Sequence, residues 1–216
     1  FIAAVNWKKV EEYVANGGGY KTPSLYAHNI WDEATHSATS TMKKEVLVVN
    51  PKDVPGAFYM LPTAKSPHGC DVDPTGEYIV GSGKLAATMT IHSFSKMKQA
   101  IADKDFDGST YGIPILNFKS VNYGVLKQPG LGPLHTEFDS RGNAYTTFFI
   151  SSEVVKWNIK DLTVLDRNPV YYSVGHLMIP GGNSRTPDDK YLVAMNKITK
   201  DRYLPTGPEV CQSAQL

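Results

Sequence analysis

Apolar and polar residues alternate in short runs along most of this chain, and short alternating runs bounded by turn residues predict β-strands. The clearest are YIVGSG at 78–83, TMTIHSF at 88–94, AYTTFFI at 144–150, EVVKWNI at 153–159 and YLVAMN at 191–196. In TMTIHSF, Met89, Ile91 and Ser93 fall on one face, and the polar set, His92 included, on the other. Turn clusters such as DPTG, DSRG and TPDD separate the runs. Two short segments have helical spacing instead. Trp7, Val10 and Val14 share a helical face that Gly17–Gly19 closes, and a second short helix carries Met97 and Ile101 with Ser95 as its cap. Residues 20–45 are rich in serine and threonine and weakly patterned, which predicts a surface insertion or loop.

One phrase recurs. His68 stands ten residues before Tyr78, His135 ten before Tyr145, and His176 fifteen before Tyr191. Each time a histidine leads into a turn rich in Gly, Asp or Pro, and an aromatic residue then opens a β-rich run. The histidines are 67 and 41 residues apart. Propeller blades recur at roughly 40 to 50 residues and present one position of each innermost strand to a central channel. The pattern therefore predicts an all-β chain with propeller blades and short helices in the connections. The wider gap is expected to hold one blade plus the connection KDFDGSTYGIPILNFKSVNYG. A β-sandwich with similar turns is the alternative.

Composition narrows the partners. The 216 residues suffice for a sizeable core, and a net charge of +1 with 20% charged residues points to neither nucleic acid nor an anionic membrane surface. The longest apolar runs, such as VLVV, are too short to span a bilayer. Both ends of the sequence read as cut, so any targeting segment is expected outside it. Cys70 and Cys211 lack CxxC-type spacing and read as a pair of buried free thiols.

On a propeller, His68, His135 and His176 would sit on innermost strands at one level and converge on the axis. Converging neutral imidazoles suit a borderline transition metal such as copper, zinc, iron or nickel. The competing reading is three turn histidines held by local hydrogen bonds. His28, His36 and His92 lack the recurring context and read as structural or surface residues.

Three phrases go further: PHGCDVDPTGEYIVGSGKL, GLGPLHTEFDSRGNAYTTFFISSEVVKWNI and LVAMNKITKDRYLPTGPE. Together they closely resemble nitrous oxide reductase, the copper enzyme that ends denitrification. The resemblance covers nearly the whole chain and is weakest over 20–50. It implies a seven-bladed propeller whose hub holds a four-copper, sulfide-bridged cluster on seven histidines. His68, His135 and His176 would be three of them. The other ligands, a His-His pair and a further His upstream and an EPH motif downstream, do not occur here. The resemblance thus implies that the chain is an internal part of the N-terminal β-propeller domain, about three to four of its seven blades over residues 1–216, inactive alone and without the C-terminal cupredoxin domain that carries the two-copper electron-entry site.

Lys197 matches a lysine that the family places beside the cluster, and the resemblance makes it the catalytic candidate, a fixed cation for an oxygen that gains charge as N–O cleaves. The family also binds calcium nearby through an Asn before the PH and a Glu after a GP. Here Ser66 and Gln212 stand at those places, which leaves the Ser66 hydroxyl and the Lys197 carbonyl as the calcium vicinity. Met178 replaces a second histidine after GH, as expected of a divergent branch. The implied activity is two-electron reduction of N2O to dinitrogen and water. The implied setting is the periplasm, a c-type cytochrome or cupredoxin as electron donor, and a homodimer. A non-catalytic secreted propeller, a binding module, is the competing function.

Overall fold

A computed structural model describes residues 1–23, 30–32, 37–39, 45–182, 184–197 and 213–216. His28, His36, Cys211 and Gln212 lie outside the described residues. The chain divides into two compact units, one comprising 1–2, 60–108 and 115–216, the other 3–59 and 109–114.

The larger unit is built from successive antiparallel meanders, as alternation with short turns requires. In the first blade the strands Pro67–Val72, Tyr78–Gly83, Thr88–Ser93 and Asn122–Lys127 lie side by side in chain order. In the second, Pro133–Phe138, Asn143–Phe148, Glu153–Asn158 and Thr163–Pro169 do the same. The third has Val174–Met178, Val193–Asn196 and Ser213–Gln215. The all-β, propeller-like reading holds. The unit also contains a parallel pairing of Ile115 with Met60.

The long connection falls inside the first blade, between its third and fourth strands, rather than between blades. It begins with the helix Phe94–Ala102, whose N-cap is Ser93 and not Ser95: the Ser93 hydroxyl accepts the Lys96 N–H at 3.1 Å. Ser95 instead donates its hydroxyl to Glu77 at 2.7 Å. Met97 is buried on this helix, whereas Ile101 is only half-buried.

Between the first two blades, Val80, Met89, Ile91 and Leu126 meet Phe138, Ala144, Phe148, Val155, Trp157 and Ile159 in one buried cluster. The alternation of TMTIHSF accounts for its half of this contact, since Met89 and Ile91 point into the cluster. Each fully buried side chain of this size contributes roughly 1.5–3 kcal/mol. A smaller cluster, Val154, Val174 and Ala194, joins the second blade to the third.

In the smaller unit, Asn6 caps the helix Trp7–Ala15, accepting the Lys9 N–H at 3.3 Å. None of that helix is buried, and Trp7 remains 59% exposed. The weak pattern over 20–45 conceals two short antiparallel ladders, Tyr20–Pro23 with Glu45–Val48 and Ile30–Asp32 with Ser37–Thr39.

Candidate functional site

Three innermost strands carry the three recurring histidines: His68 on the first blade, His135 on the second and His176 on the third. Their rings meet. His135 stacks on His176 with centroids 4.3 Å apart and planes 21° apart, and meets His68 edge-on at 4.9 Å and 83°. His135, in the middle, is half-buried, and its Nε2 is inaccessible and has no hydrogen-bond partner. His68 and His176 are exposed.

A β-bulge puts them there. In each inner strand the register slips once, between Pro67 and Cys70, between Pro133 and Thr136, and between Val174 and Leu177. All three histidines lie within these slips, where the extra residue turns a side chain away from regular alternation. The equal spacing to tyrosine is misleading, however. The turns open on Asp73 and Asp139, and His68 stands five residues before its aspartate where His135 stands four before its own. Asp73 accepts the N–H groups of Thr75, Glu77 and Tyr78, while Asp139 accepts those of Arg141 and Asn143, so the first turn is one residue longer. Tyr78 therefore pairs beyond the bulge differently from Tyr145, which faces Glu137. His68 is one residue out of step with the other two, and its ring still reaches His135.

Cross-blade hydrogen bonds fix the neighbours of each histidine. The N–H of Thr136, next after His135, donates to the Asp71 carboxylate of the first blade at 2.8 Å. The Thr147 hydroxyl donates to the carbonyl of Gly175, just before His176, at 2.5 Å. From the core, Trp157 Nε1 donates to the Thr146 hydroxyl at 2.9 Å, which exchanges a 2.8 Å bond with the Thr136 hydroxyl. Gly69 is needed for close approach: a Cβ there would lie 2.0 Å from the Leu134 carbonyl oxygen.

The electrostatics favour neutral rings. Burial, then the charges of His176, His68 and Lys197, pushes His135 down to about 4. Burial, Lys197 and Lys84 also lower His68. Burial raises Asp71 to about 7, with the Thr136 N–H opposing and Glu137 adding to the rise. Lys197 stands with the cluster, its side chain lying across the Gly175 backbone, where a Cβ would come within 2.2 Å of Lys197 Cε. Its N–H donates to the Ser173 carbonyl at 3.2 Å. Lys84, Asp71, Glu137 and Thr147 belong to the same neighbourhood. The sequence offers mere adjacency for two of them, Asp71 in HGCD and Glu137 two residues after His135, and no signal for Lys84 or Thr147.

Ser66 is exposed, with φ at +57°, and its carbonyl accepts the Lys84 N–H at 2.9 Å. Cys70 is a free, exposed thiol, not a buried one, whereas Gly69 just before it is buried on the inner strand. His92 is fully buried on the first blade, edge-on to Phe118 at 6.1 Å, and away from the three rings. Among the described residues, no group of three His, Cys, Asp or Glu side chains is disposed around a single ion.

A profile described as nitrous oxide reductase propeller repeat matches residues 167–216. Nitrous-oxide reductase of Stutzerimonas stutzeri is 38% identical over 168 residues, covering 72% of this chain and 24% of that protein. The chain belongs to the nitrous-oxide reductase family. The corresponding enzyme of Pseudomonas fluorescens is 34% identical over the same shares. That of Cupriavidus necator is 35% identical over 77% of this chain and 26% of its own. The chain thus spans about a quarter of the length of the curated nitrous-oxide reductases it matches. Among solved structures, Kuenenia stuttgartiensis hydrazine synthase superposes at a TM-score of 0.42 and 13% identity over 79% of this chain and 36% of that one, too low to carry an argument.

Proposed function

We propose that this chain supplies part of a copper site at which N2O, two electrons and two protons become dinitrogen and water. The observation that carries the reading is the ring contact of His68, His135 and His176 on three successive inner strands, with His135 Nε2 buried and unpartnered. Imidazole in its neutral form is a good copper ligand, and a buried nitrogen without a partner is costly unless something is bound to it. Three rings in a row, rather than three around a point, suit a centre of several metal atoms. The four-copper cluster of the family is such a centre.

When bound, copper would supply the electrons and the Lewis acidity that an inert oxidant such as N2O requires. The residues do the rest. The bulged inner strands present the rings, and the bonds from the Thr136 N–H to the Asp71 carboxylate and from the Thr147 hydroxyl to the Gly175 carbonyl hold those strands in place. Lys197 keeps a positive charge, and a proton on Nζ, beside the rings, where it favours charge that develops on the substrate oxygen. Calcium at Ser66 and Lys197 rests on the family resemblance alone.

The same reading makes residues 1–216 part of an N-terminal propeller domain, with the remaining ligands and a cupredoxin domain elsewhere in the protein. It also includes periplasmic location, a c-type cytochrome or cupredoxin donor and a homodimer. The test is copper content and N2O consumption of the protein in its native context, with and without His135→Ala. Copper bound equally by both, or no N2O consumption by a copper-loaded protein, would overturn it.

A further inference from the structure

The second blade turns Phe138, Ala144, Val155 and Trp157 into the buried cluster it shares with the first. Thr136 and Thr146 alternate onto the same face, two residues from Phe138 and Ala144, and are buried at 1% and 0%. They carry a polar chain into that apolar layer. The Trp157 Nε1–H donates to the Thr146 hydroxyl at 2.9 Å, and the Thr146 and Thr136 hydroxyls are 2.8 Å apart. The Thr136 N–H donates in turn to Asp71 of the first blade at 2.8 Å. Valine would fill either threonine's space without burying a hydroxyl, so the chain serves something other than packing. The three inner strands differ at this level. Just beyond the register slip stand Thr136 opposite Thr146 in the second blade, Cys70 opposite Gly81 in the first and Leu177 opposite Ala194 in the third. Of these strands, the one with the hydroxyl pair carries the histidine whose ring meets both others.

We infer that Trp157 is a positioning residue for His135, acting through Thr146 and Thr136. The extra residue of a bulge can lie at more than one place along a strand, and moving it by one place turns the side chain it passes to the other face. The Thr136–Thr146 rung stops the bulge directly after His135. The indole N–H can only donate, so Thr146 accepts from it and can pass its own hydrogen to Thr136. The stacking of His135 on His176 then follows from where the bulge ends. This role rests on the reading of the three rings as one site, and it is independent of the metal that fills them.

The metal-free protein in its native context provides the test, through the ring-proton signals of His135 in isotope-labelled histidine. Stacking on His176 shifts those signals, and His176→Ala gives their unstacked position. Thr146→Val, which removes the hydroxyl and keeps the volume, should move them toward that position, and so should Trp157→Phe. Adding Trp157→Phe to Thr146→Val should move them no further, since one chain carries both effects. Thr146→Ser should restore the wild-type signal. Val155→Ala, on the same face and fully buried but with no polar side-chain atom, should lower the melting point and leave the signal in place. Where Trp157→Phe does not fold, Trp157→benzothienylalanine keeps the shape of the indole and removes only its N–H. Signals unmoved by Thr146→Val or by loss of the indole N–H, or moved as far by Val155→Ala, or left unrestored by Thr146→Ser, would overturn the role. A protein that passes this test and takes up no copper would overturn the copper reading alone, so the two failures are told apart.

Discussion

At the scale of single residues, the decisive contrast is between His135 and His92. Both are held neutral by burial, each near 4, yet their surroundings differ. His92 is wholly enclosed in the first blade with Phe118 at its edge, whereas His135 lies between two other imidazoles. His135→Ala should abolish copper loading with a small effect on folding. His92→Ala should leave copper in place and lower the melting point, since it opens a cavity worth roughly 2–4 kcal/mol. Metal analysis and thermal melts of both variants decide it, and the reverse pattern would remove His135 from the site. Lys197 separates binding from turnover: Lys197→Met should keep copper and lower N2O reduction per copper about 100- to 1000-fold. Normal turnover would return Lys197 to a structural role. Asp71 gives a pH signature. Its carboxyl titrates near 7 when folded, above the ordinary 3.8, so the folded protein binds the extra proton between these values. Stability attributable to Asp71 is therefore greatest below about pH 4, falls as pH rises through about 7, and then levels. Asp71→Asn keeps an acceptor for Thr136 and cannot ionise, so its melting point should gain on wild type across that range. A constant difference between the two from pH 4 to 8 would contradict the assignment.

At the scale of elements, the bulged inner strand is the unit that makes the site. Gly69 allows the first of these strands to touch the Leu134 carbonyl of the second. Gly69→Ala should force them apart and disturb copper loading. Gly76→Ala, at φ +78° but with nothing within 4 Å, should cost only about 1 kcal/mol and leave copper unchanged. Metal content of the two variants tells whether strand approach or turn strain governs the site. Strands, turns and the histidine repeat were legible because alternation and Asp/Gly turns are local signals. The bulges were not, since one extra residue in a strand leaves no mark on composition. That is why equal His–Tyr spacing disguised a shift of one residue at His68: the shift and the longer turn at Asp73 each add one residue, and Tyr78 stands two places earlier on its strand than Tyr145. Lys84 was illegible for a different reason: nothing near GSGKL indicates that its head reaches the Phe149 ring 65 residues later. The helix cap moved from Ser95 to Ser93 because the strand runs directly into the helix, leaving Ser93 the last extended residue.

At the scale of the whole chain, the apolar surface requires explanation. Thr163–Pro169, the outermost strand of the second blade, is exposed throughout, with Leu165 at 53% and Val164 at 37%. Met178 on the third inner strand is 54% exposed, and Leu131 and Ile150 are each about half exposed. A strand edge that combines free backbone groups with apolar side chains is a template for further pairing. Under the proposal that these residues belong to a larger propeller, closing the ring would cover the inner flanks, but the outer edge of a blade would remain. The isolated chain should therefore self-associate through both kinds of surface, and only the edge contribution should respond to a charge placed on it. Light scattering over a concentration series is the measurement. Leu165→Lys should reduce, but not abolish, the growth in mass with concentration, while the native full-length protein shows no such growth. A monodisperse monomer with a sharp, cooperative melt would mean that the three blades described here suffice for a closed structure, and the larger ring would lose its physical motive.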